Sequence, residues 1–492
     1  MNSIELSEDQ LTRLKSPGIG ILIGLIGSFV TCILYLSTIS FGLNFHDSAE
    51  LALRADKLGA SHSPGSPLHS IFGWLFIQFF IEPIRATNLL SAFSMGISAG
   101  ILAMFTWQVS GRFFYASMLL FACSFQVWGN AVITELYGLS TLFSLLSIVL
   151  FWQWHLLQKK TWLIFGVLAY CLALAVWFAN LMLAPVILLL IVIEQRRVSR
   201  DFYIALGLIF FAVICIALTN IWLAERLLPY GPDIPNSFNG IFRYMSGAMH
   251  DPLDVSNLSF IVSRILDHFT IFSGNFLWIG IPFGLIGLYL FVKRDFSFGI
   301  FLTSLFLIQM TYFSIFGPGD YYSMVILSYA IFSFWIVYGA IQIFDKYNII
   351  RVPMIFLLFA LPMIQMIFQL PGRIENSQLS LAQEFIDRSF SVLPKNALII
   401  TGWNHFTALE YGQKIQNLRP DLAIILPALT VRHYGDKSIN NYLDYVLLNF
   451  CKRPILTNKV TTEMSIQFDL LPFKEDISWF ILKDKSNKCF DF

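Results

Sequence analysis

The feature that most constrains this chain is a series of apolar segments, each long enough to cross a membrane. The first, from Ile19 to Phe41, exceeds the roughly 20 residues that a helix needs to span about 30 Å of hydrocarbon. Hydrophobic residues make up 56% of the 492 positions and charged residues 13%, a balance outside that of soluble proteins. We therefore predict a polytopic α-helical membrane protein. Its net charge of +1 and its lack of a basic run argue against a nucleic-acid partner.

The apolar runs and the placement of lysine and arginine predict eleven spans with a cytoplasmic N-terminus. The spans cover residues 19–43, 88–109, 113–130, 136–157, 161–177, 181–195, 202–225, 269–292, 297–316, 321–342 and 351–370. The inside loops carry the cations, including Arg112 and the loop at 196–200, whereas the short outside connections carry none. This asymmetry requires residues 68–82 to lie in the interface without crossing. Twelve spans are the alternative.

This topology places the main polar regions on one face, the non-cytoplasmic one. They are the first loop (44–87), the loop at 226–268 and the C-terminal segment. Two short connections join them, Thr134 to Gly138 and Gly317 to Tyr322. Because loops on a rigid scaffold often carry chemistry, we expect one active-site cavity here.

The C-terminal segment changes composition at about Pro371-Gly372, which divides the chain into a transmembrane domain (1–372) and a small domain (373–492). Buried-strand patterns at 394–401, 419–427, 453–458 and 479–483 alternate with helical stretches at 405–415 and 439–450. This alternation predicts a small α/β domain. Binding an acceptor and packing against the bundle are equally good interpretations of its role.

The stretch from Asp47 to Leu68, DSAELALRADKLGASHSPGSPL, follows the first span and gathers several charged residues in a chain that is otherwise mostly apolar. It contains Asp47, Glu50, Arg54, Lys57 and His62. Any loop that leaves a membrane is polar, so composition alone leaves the functional and the trivial interpretation evenly matched. The matching polar regions further along favour a site.

The cysteines and histidines give no zinc-site spacing, and we predict neither a bound metal nor a cofactor; whether the reaction depends on a metal is left open. Cys451 and Cys489 lie in the outer domain, where a disulfide could form. The alternative, which we favour, is that the thiols of Cys451 and Cys489 stay unpaired.

Several motifs occur in the order found in a known family. They are DSAEL (47–51), LGASHSPGSPL (58–68), RATNLLSAFS (85–94), ITELYGLSTLF (133–143), LLPYGPDIPNSFNGIFRYMSG (227–247) and PKNALIITGWNHFTALEYGQKIQNLRPDLAII (394–425). The chain resembles bacterial membrane proteins related to the eukaryotic endoplasmic-reticulum O-mannosyltransferase of plexin-type IPT domains. That family belongs to the GT-C glycosyltransferases, so the resemblance implies a GT-C-like fold.

The chain departs from the family pattern at several positions. The usual His-Pro-Pro-Gly-Tyr-Pro is here HSPGSP at 62–67, and Asp-Ser-Gly-Glu is DSAE at 47–50. An expected Asn-His pair is Asn180-Leu181, and an expected acidic residue near the first turn of the C-terminal domain is Trp403. The fold is expected to carry over, whereas the donor or acceptor specificity is open.

The resemblance implies transfer of a sugar from a polyprenyl-phosphate donor to an acceptor hydroxyl on a protein or glycan. A mannose-like hexose is the sugar that we favour. An enzyme on the outer face needs such a bilayer-anchored donor, because nucleotide sugars stay in the cytoplasm. A bacterial inner membrane, with the C-terminal domain periplasmic or extracellular, is the expected location. A transporter or lipid flippase and a non-catalytic member of the fold are the alternatives. We find no internal repeat and no charge near the middle of a span, which argues against transport.

The lipid phosphate is already a good leaving group, so one carboxylate base and some cations would suffice. We assign the base to Asp47, and Glu50 either positions it or binds the sugar. Candidate substrate-binding residues are the phosphate ligands Arg54, Arg85 and Arg243, together with His62, Glu135, Tyr137 and Asp320. Interfacial arginines commonly extend to the membrane surface, and Glu135, Tyr137 and Asp320 also fit ordinary interfacial residues.

Overall fold

The computed structural model describes residues 17–80, 82–226, 238–247, 258–315, 321–346, 351–427, 442–449, 452–474 and 477–485. Asp320, Cys451 and Cys489 lie outside these residues.

The first part of the chain forms a helical bundle. Its helices are α1 Pro17–Leu36, α2 Asp47–Lys57, α3 Pro67–Phe80, α4 Pro83–Ser110, α5 Phe114–Ala122, α6 Phe125–Ala131, α7 Tyr137–Leu157, α8 Lys160–Val176, α9 Ala184–Gln195 after a 3-10 turn at Phe178–Leu183, α10 Arg200–Arg226, α11 Phe238–Met245, α12 Leu258–Gly274, α13 Gly280–Arg294, α14 Phe296–Ile315, α15 Ile326–Lys346 and α16 Arg351–Gln378. In the described residues, seven helices are long and apolar enough to cross a membrane. The chain is therefore an integral membrane protein, as predicted.

Two predicted spans are interrupted. The span at 113–130 is divided into α5 and α6, and the span at 269–292 is divided between α12 and α13. The two breaks meet, because the Asn275 side chain accepts a hydrogen bond from the Gln126 backbone N–H at 3.1 Å. Gln365 also donates to the Asn275 carbonyl. Such side-chain partners satisfy the backbone groups that an interrupted helix frees inside a membrane, and an apolarity pattern does not register them.

Helix α4 lies at the centre of the bundle, and small residues let α1 pack closely against it. A Cβ built on Gly100 would overlap the Gly24 carbonyl oxygen and the Ser28 hydroxyl. Small residues let two membrane helices approach to backbone distance. The close approach of α1 and α4 therefore depends on glycine at position 100.

The two ends of α4 have different neighbours. Ile84, at its start, packs against the C-terminal domain. Arg112, just past its other end, forms an ion pair with Asp345 at 2.6 Å. At about 1.5 Å per residue these ends lie about 40 Å apart. We call them the domain end and the far end.

Helix α3, the predicted interfacial segment, does not cross the bundle. It starts next to α2, where the Ser70 hydroxyl donates to the Gly59 carbonyl at 3.0 Å. It ends three residues before α4 begins at the domain end. The middle of α3 packs against both α2 and α4, because Gly73 lies next to Ala55 of α2 and Thr87 of α4. Both ends of α3 therefore lie at the same end of the bundle.

The C-terminal part is the expected small α/β domain. Its elements are α17 Leu381–Val392, β1 Leu398–Ile400, α18 Trp403–Lys414, β2 Ala423–Ile425, α19 Tyr442–Asn449, β3 Ile455–Thr457, α20 Thr462–Gln467, β4 Phe468–Lys474 and β5 Ile477–Asp484. The sheet order is β2-β1-β3-β5-β4, parallel through β2, β1 and β3 and antiparallel at β5 and β4. Helices α17 and α20 and strand β4 were not predicted from the sequence. Helix α16 continues through the composition change at Pro371 to Gln378, so the elements of the two parts separate after that residue.

The domain rests on α2 through a shared apolar core. Leu43, Ala49, Ala52 and Leu53 from the bundle side form one buried cluster with the small domain's own core residues. Those residues are Ala382, Ile386, Phe390, Leu393, Ala397, Ile399, Phe406, Ala408, Leu409, Tyr411, Leu422, Ile424, Leu426, Leu456 and Trp479. The domain is therefore packed firmly over α2.

Candidate functional site

Helix α2 carries its charges where the helix dipole favours them. Asp47 and Glu50 lie in its first turn, and Arg54 and Lys57 lie in its last. Carboxylates near a helix N-terminus and cations near its C-terminus are each stabilised by the macrodipole. The helix ends at Leu58, which adopts a left-handed conformation with φ 48°.

Glu50 is the buried centre of a polar network, with only 2% of its side chain exposed. One carboxylate oxygen accepts the His62 backbone N–H at 2.7 Å, and the other contacts the His62 ring Nδ1 at 2.6 Å. Arg54 reaches the same carboxylate at 3.4 Å and binds Glu410 of the small domain at 3.1 Å. Buried charges are stable only when paired and hydrogen bonded in this way.

Asp47 is the open carboxylate of this group, with 24% of its side chain exposed. Its Oδ1 accepts a hydrogen bond from the Trp403 indole Nε1 at 2.6 Å. Its Oδ2 lies 3.7 Å from His62 Nε2. Asp47 is therefore held from both the bundle and the small domain while it stays open to solvent.

One face of α18 makes the contacts to α2. Trp403 binds Asp47, the Thr407 hydroxyl donates to the His46 carbonyl at 2.9 Å, and Glu410 binds Arg54. Spacings of four and three residues place these side chains on the same side of a helix. His46 itself has φ 64°, which non-glycine residues rarely adopt, and its carbonyl is fixed by Thr407.

The SPGSP turn at 63–67 lies behind His62 and is fixed by Tyr244 of α11. The Tyr244 hydroxyl donates to the Ser61 carbonyl at 2.6 Å, and the Ser63 hydroxyl donates to the Tyr244 carbonyl at 2.5 Å. Gly65 has φ 84°, and a Cβ there would overlap the Tyr244 hydroxyl. The turn therefore requires glycine for both conformation and space.

The two buried carboxyl groups, Glu50 and Glu410, have pKa values shifted in opposite directions. Burial alone would raise the pKa of Glu50, but the charge and hydrogen bonds of His62 and the Arg54 guanidinium hold the pKa of Glu50 below its usual value. Burial raises the pKa of Glu410, and Arg54 only partly opposes it. The site therefore favours the ionised form of Glu50 beside His62, whereas burial makes Glu410 harder to ionise than an exposed carboxyl group.

The three predicted phosphate arginines have different surroundings. Arg54 is 5% exposed and is occupied by two carboxylates. Arg85 is 60% exposed and pairs with Glu82 at 2.7 Å. Arg243 is exposed, next to buried Tyr244 on α11. Arg85 and Arg243 are open to a ligand, whereas Arg54 holds the two domains together.

Glu135 lies just before α7, which begins at Tyr137, and both residues are near the N-terminal part of α4. The Glu135 backbone N–H donates to the Ser91 hydroxyl at 3.0 Å, and its side chain is half-buried. The buried Tyr137 ring lies edge-on to Trp177, with centroids 5.5 Å apart. Asp47, Glu50 and His62 meet directly, and Glu135 and Tyr137 occupy a neighbouring connection.

Glu410 and Tyr244 were not predicted from the sequence, and Trp403 was predicted only as a departure from the family pattern. Glu410 was detectable as a carboxylate inside the apolar stretch FTALEYG at 406–412. Over the described residues no cluster of three or more His, Cys, Asp and Glu side chains could hold a metal ion.

Comparison with known protein families agrees with the resemblance read from the motifs. Residues 47–200 match the family model described as Protein O-mannosyl-transferase TMEM260 N-terminal domain. This segment includes Asp47, Glu50, His62 and Glu135. The predicted resemblance to the O-mannosyltransferase family is thus confirmed over this part of the chain. None of the curated proteins matches the chain.

Two solved structures of ArnT from Cupriavidus metallidurans share the fold. The structure bound to undecaprenyl phosphate has a TM-score of 0.59 at 10% identity, and the apo structure has a TM-score of 0.55 at 11% identity. Each comparison covers 94% of this chain and 97% of the ArnT chain. The fold that the two chains share is of the GT-C type, so the predicted GT-C-like fold is confirmed for this chain.

Proposed function

We propose that this chain is a membrane glycosyltransferase that moves a mannose-like hexose from a polyprenyl-phosphate donor to an acceptor hydroxyl. Protein O-glycosylation is the form of the reaction that we favour. The observation that carries the proposal is Asp47: a solvent-open carboxylate at the domain end of a GT-C fold, held by His62 and Trp403.

The reaction needs one proton transfer and one displacement. Asp47 takes the proton of the acceptor hydroxyl, whose oxygen forms a bond to the anomeric carbon of the sugar. The bond between that carbon and the phosphate oxygen breaks, and its electron pair leaves with the polyprenyl phosphate. Asp47 then releases the proton to solvent. A phosphate leaving group needs no strong general acid, so a single open carboxylate is sufficient.

The donor end of the proposal draws on the fold and on charge. ArnT, which shares this fold, has been solved with undecaprenyl phosphate. In this chain Arg85 and Arg243 are the candidate phosphate ligands that are exposed. A guanidinium can contact two phosphate oxygens at once. We propose that one or both bind the lipid phosphate, while Glu135, Tyr137 and Asp320 contribute to the sugar side.

The sugar and acceptor classes draw on the family match. The matched model describes an O-mannosyltransferase domain, which favours a mannose-like sugar and a hydroxyl acceptor on a protein. A glycan acceptor is the second candidate. The small domain contacts Asp47 from one side through Trp403, which supports a role for it in binding the acceptor.

We propose a bacterial inner membrane as the location, with the domain end on the periplasmic or extracellular face. The charges at the far end support this orientation. Arg294 contacts the carbonyl of Val109, close to the far end of α4, at 3.5 Å. His155 joins Asp295, next to Arg294, to Glu194, next to the loop at 196–200, so these cations lie at the far end, as the positive-inside rule expects.

Reconstituted vesicles test the proposed function. We expect purified protein in liposomes to move labelled hexose from polyprenyl-phosphate hexose to a hydroxyl-bearing acceptor peptide. A transporter or flippase would instead change the leaflet of the labelled lipid without consuming it, and a non-catalytic member would do neither. Either of these two results, with folded protein, would refute the transferase assignment.

A further inference from the structure

We propose that Trp403 is a positioning residue that fixes the orientation of the Asp47 carboxylate for proton abstraction. The reactive carboxylate comes from the bundle, and its orientation comes from the small domain. This inference rests on the proposed role of Asp47 as base and names a residue that completes the same site.

The contact has the geometry of a charge-assisted hydrogen bond. The indole Nε1 of Trp403 lies 2.6 Å from Asp47 Oδ1. An indole N–H can only donate a hydrogen bond, so Oδ1 accepts it and Oδ2 stays on the His62 side. Because Asp47 is 24% exposed and can rotate in solvent, this one strong hydrogen bond largely decides which carboxylate oxygen faces the hydroxyl group of the substrate.

The indole is itself held in place. Trp403 is the first residue of α18, and the same helix is anchored to the bundle by Thr407 and Glu410. The His62 ring packs edge-on against the indole, with centroids 5.0 Å apart. The donor therefore has little freedom to follow a carboxylate that rotates away.

The bundle and the small domain present different chemical groups to Asp47. On the bundle side His62 lies near Oδ2, and Glu50 and Arg54 lie deeper on α2. On the small-domain side α18 presents Trp403 at the carboxylate and Glu410 further along. A neutral donor at this position orients Asp47 without adding charge, whereas an acidic residue there would repel it.

The site is therefore complete only when the small domain is docked. The Trp403 ring lies beside both Asp47 and His62. This gives the small domain a part in catalysis beyond its packing on α2.

The test compares Trp403→Phe with Trp479→Phe. Trp479 is a buried tryptophan of the same domain whose indole N–H has no partner in the described part of the chain. We expect Trp403→Phe to lower kcat about tenfold or more while KM for the lipid-linked donor changes less than about twofold, because misoriented catalytic groups cost rate rather than donor binding. Trp479→Phe should retain the wild-type kcat. Replacing Trp403 with 3-benzothienylalanine, which keeps the ring and loses only the N–H, should reproduce the Trp403→Phe rate.

A readout without activity keeps this test apart from the proposed function. In protein labelled with ¹⁵N at the indole nitrogens, the resonance that Trp403→Phe removes should move in Asp47→Ala and stay in place in Asp56→Ala. Full kcat in the Trp403 variants, or an indole resonance that Asp47→Ala does not move, would overturn the positioning role. Absence of transfer by the wild type, with the resonance shift intact, would instead refute the proposed reaction.

Discussion

Asp47 and Glu50 lie one helical turn apart, yet the structure gives their carboxylates different surroundings. Asp47 is open and has two partners from opposite sides. Glu50 is buried and fully engaged by His62 and Arg54. At the scale of residues, this division supports Asp47 as the reacting group and Glu50 as the residue that orders His62.

The ionised state of Glu50 has a consequence for stability. Its pKa is held below the usual value, so the folded state binds its proton less readily than the unfolded chain. The stability that Glu50 contributes is present above the unfolded pKa of about 4.3 and is lost as pH falls through the lower folded value. Glu50→Gln should lower unfolding free energy by about 3 kcal/mol at neutral pH. Its stability should also fall less steeply below about pH 4.3 than that of the wild type.

Thermal unfolding in detergent between acid and neutral pH measures this effect. Glu384→Gln is the matched control, because Glu384 is 56% exposed and lies 3.9 Å from its partner Arg388. The control should follow the wild-type curve. A Glu50→Gln variant as stable as the control at neutral pH would contradict the network described here.

The sequence predicts the local half of this site and not the distant half. Asp47, Glu50 and His62 lie within one short stretch, so a helix and a turn are enough to bring them together. Trp403 and Glu410 come from 356 residues further along the chain, next to Asp47 and Arg54 respectively. Their contacts depend on how the small domain docks, which no local pattern encodes.

At the scale of elements, the pattern of apolarity predicts where helices run but not where they break. The breaks at Cys123-Ser124 and around Asn275 satisfy each other across the bundle. A span-length apolar run looks the same with or without such a break. Strand β4 was missed because its pairing with β5, and not its own pattern, defines it.

The contact between α1 and α4 gives a prediction for this scale. Gly100→Ala would place a methyl group against the Gly24 backbone carbonyl, and rigid backbone gives way only at a cost of about 1–3 kcal/mol. We expect a lower melting temperature in detergent. Gly207→Ala on α10 is the control, since nothing lies within 4 Å of its added Cβ. Equal melting temperatures for the two variants would show that the close crossing is absent.

At the scale of the whole molecule, α4 connects two ends that carry different polar networks. The domain end holds Asp47, Glu50 and the small domain. The far end holds Arg112 with Asp345, and His155 between Glu194 and Asp295. Both ends of α3 lie at the domain end of the bundle. The proposed catalytic residues that the structure describes in the first loop therefore all lie on that one face.

This arrangement predicts the orientation in the membrane. A reporter fused after Lys395 should be non-cytoplasmic, and one inserted between Arg197 and Arg200 should be cytoplasmic. Accessibility of the two reporters in intact cells measures both. A cytoplasmic reading after Lys395 would place the proposed site on the wrong face for a lipid-linked donor.

The most direct test of the account is turnover by Asp47→Asn in reconstituted vesicles, compared with Asp56→Asn. Asp56 lies on the same helix and pairs with Lys57 at 2.8 Å on the helix surface. Removing the base should reduce sugar transfer by about 100-fold or more, while the folded fraction and the melting temperature of Asp47→Asn stay near those of the wild type. Asp56→Asn should transfer sugar at the wild-type rate. Full turnover by folded Asp47→Asn would contradict the assignment of Asp47 as the catalytic base.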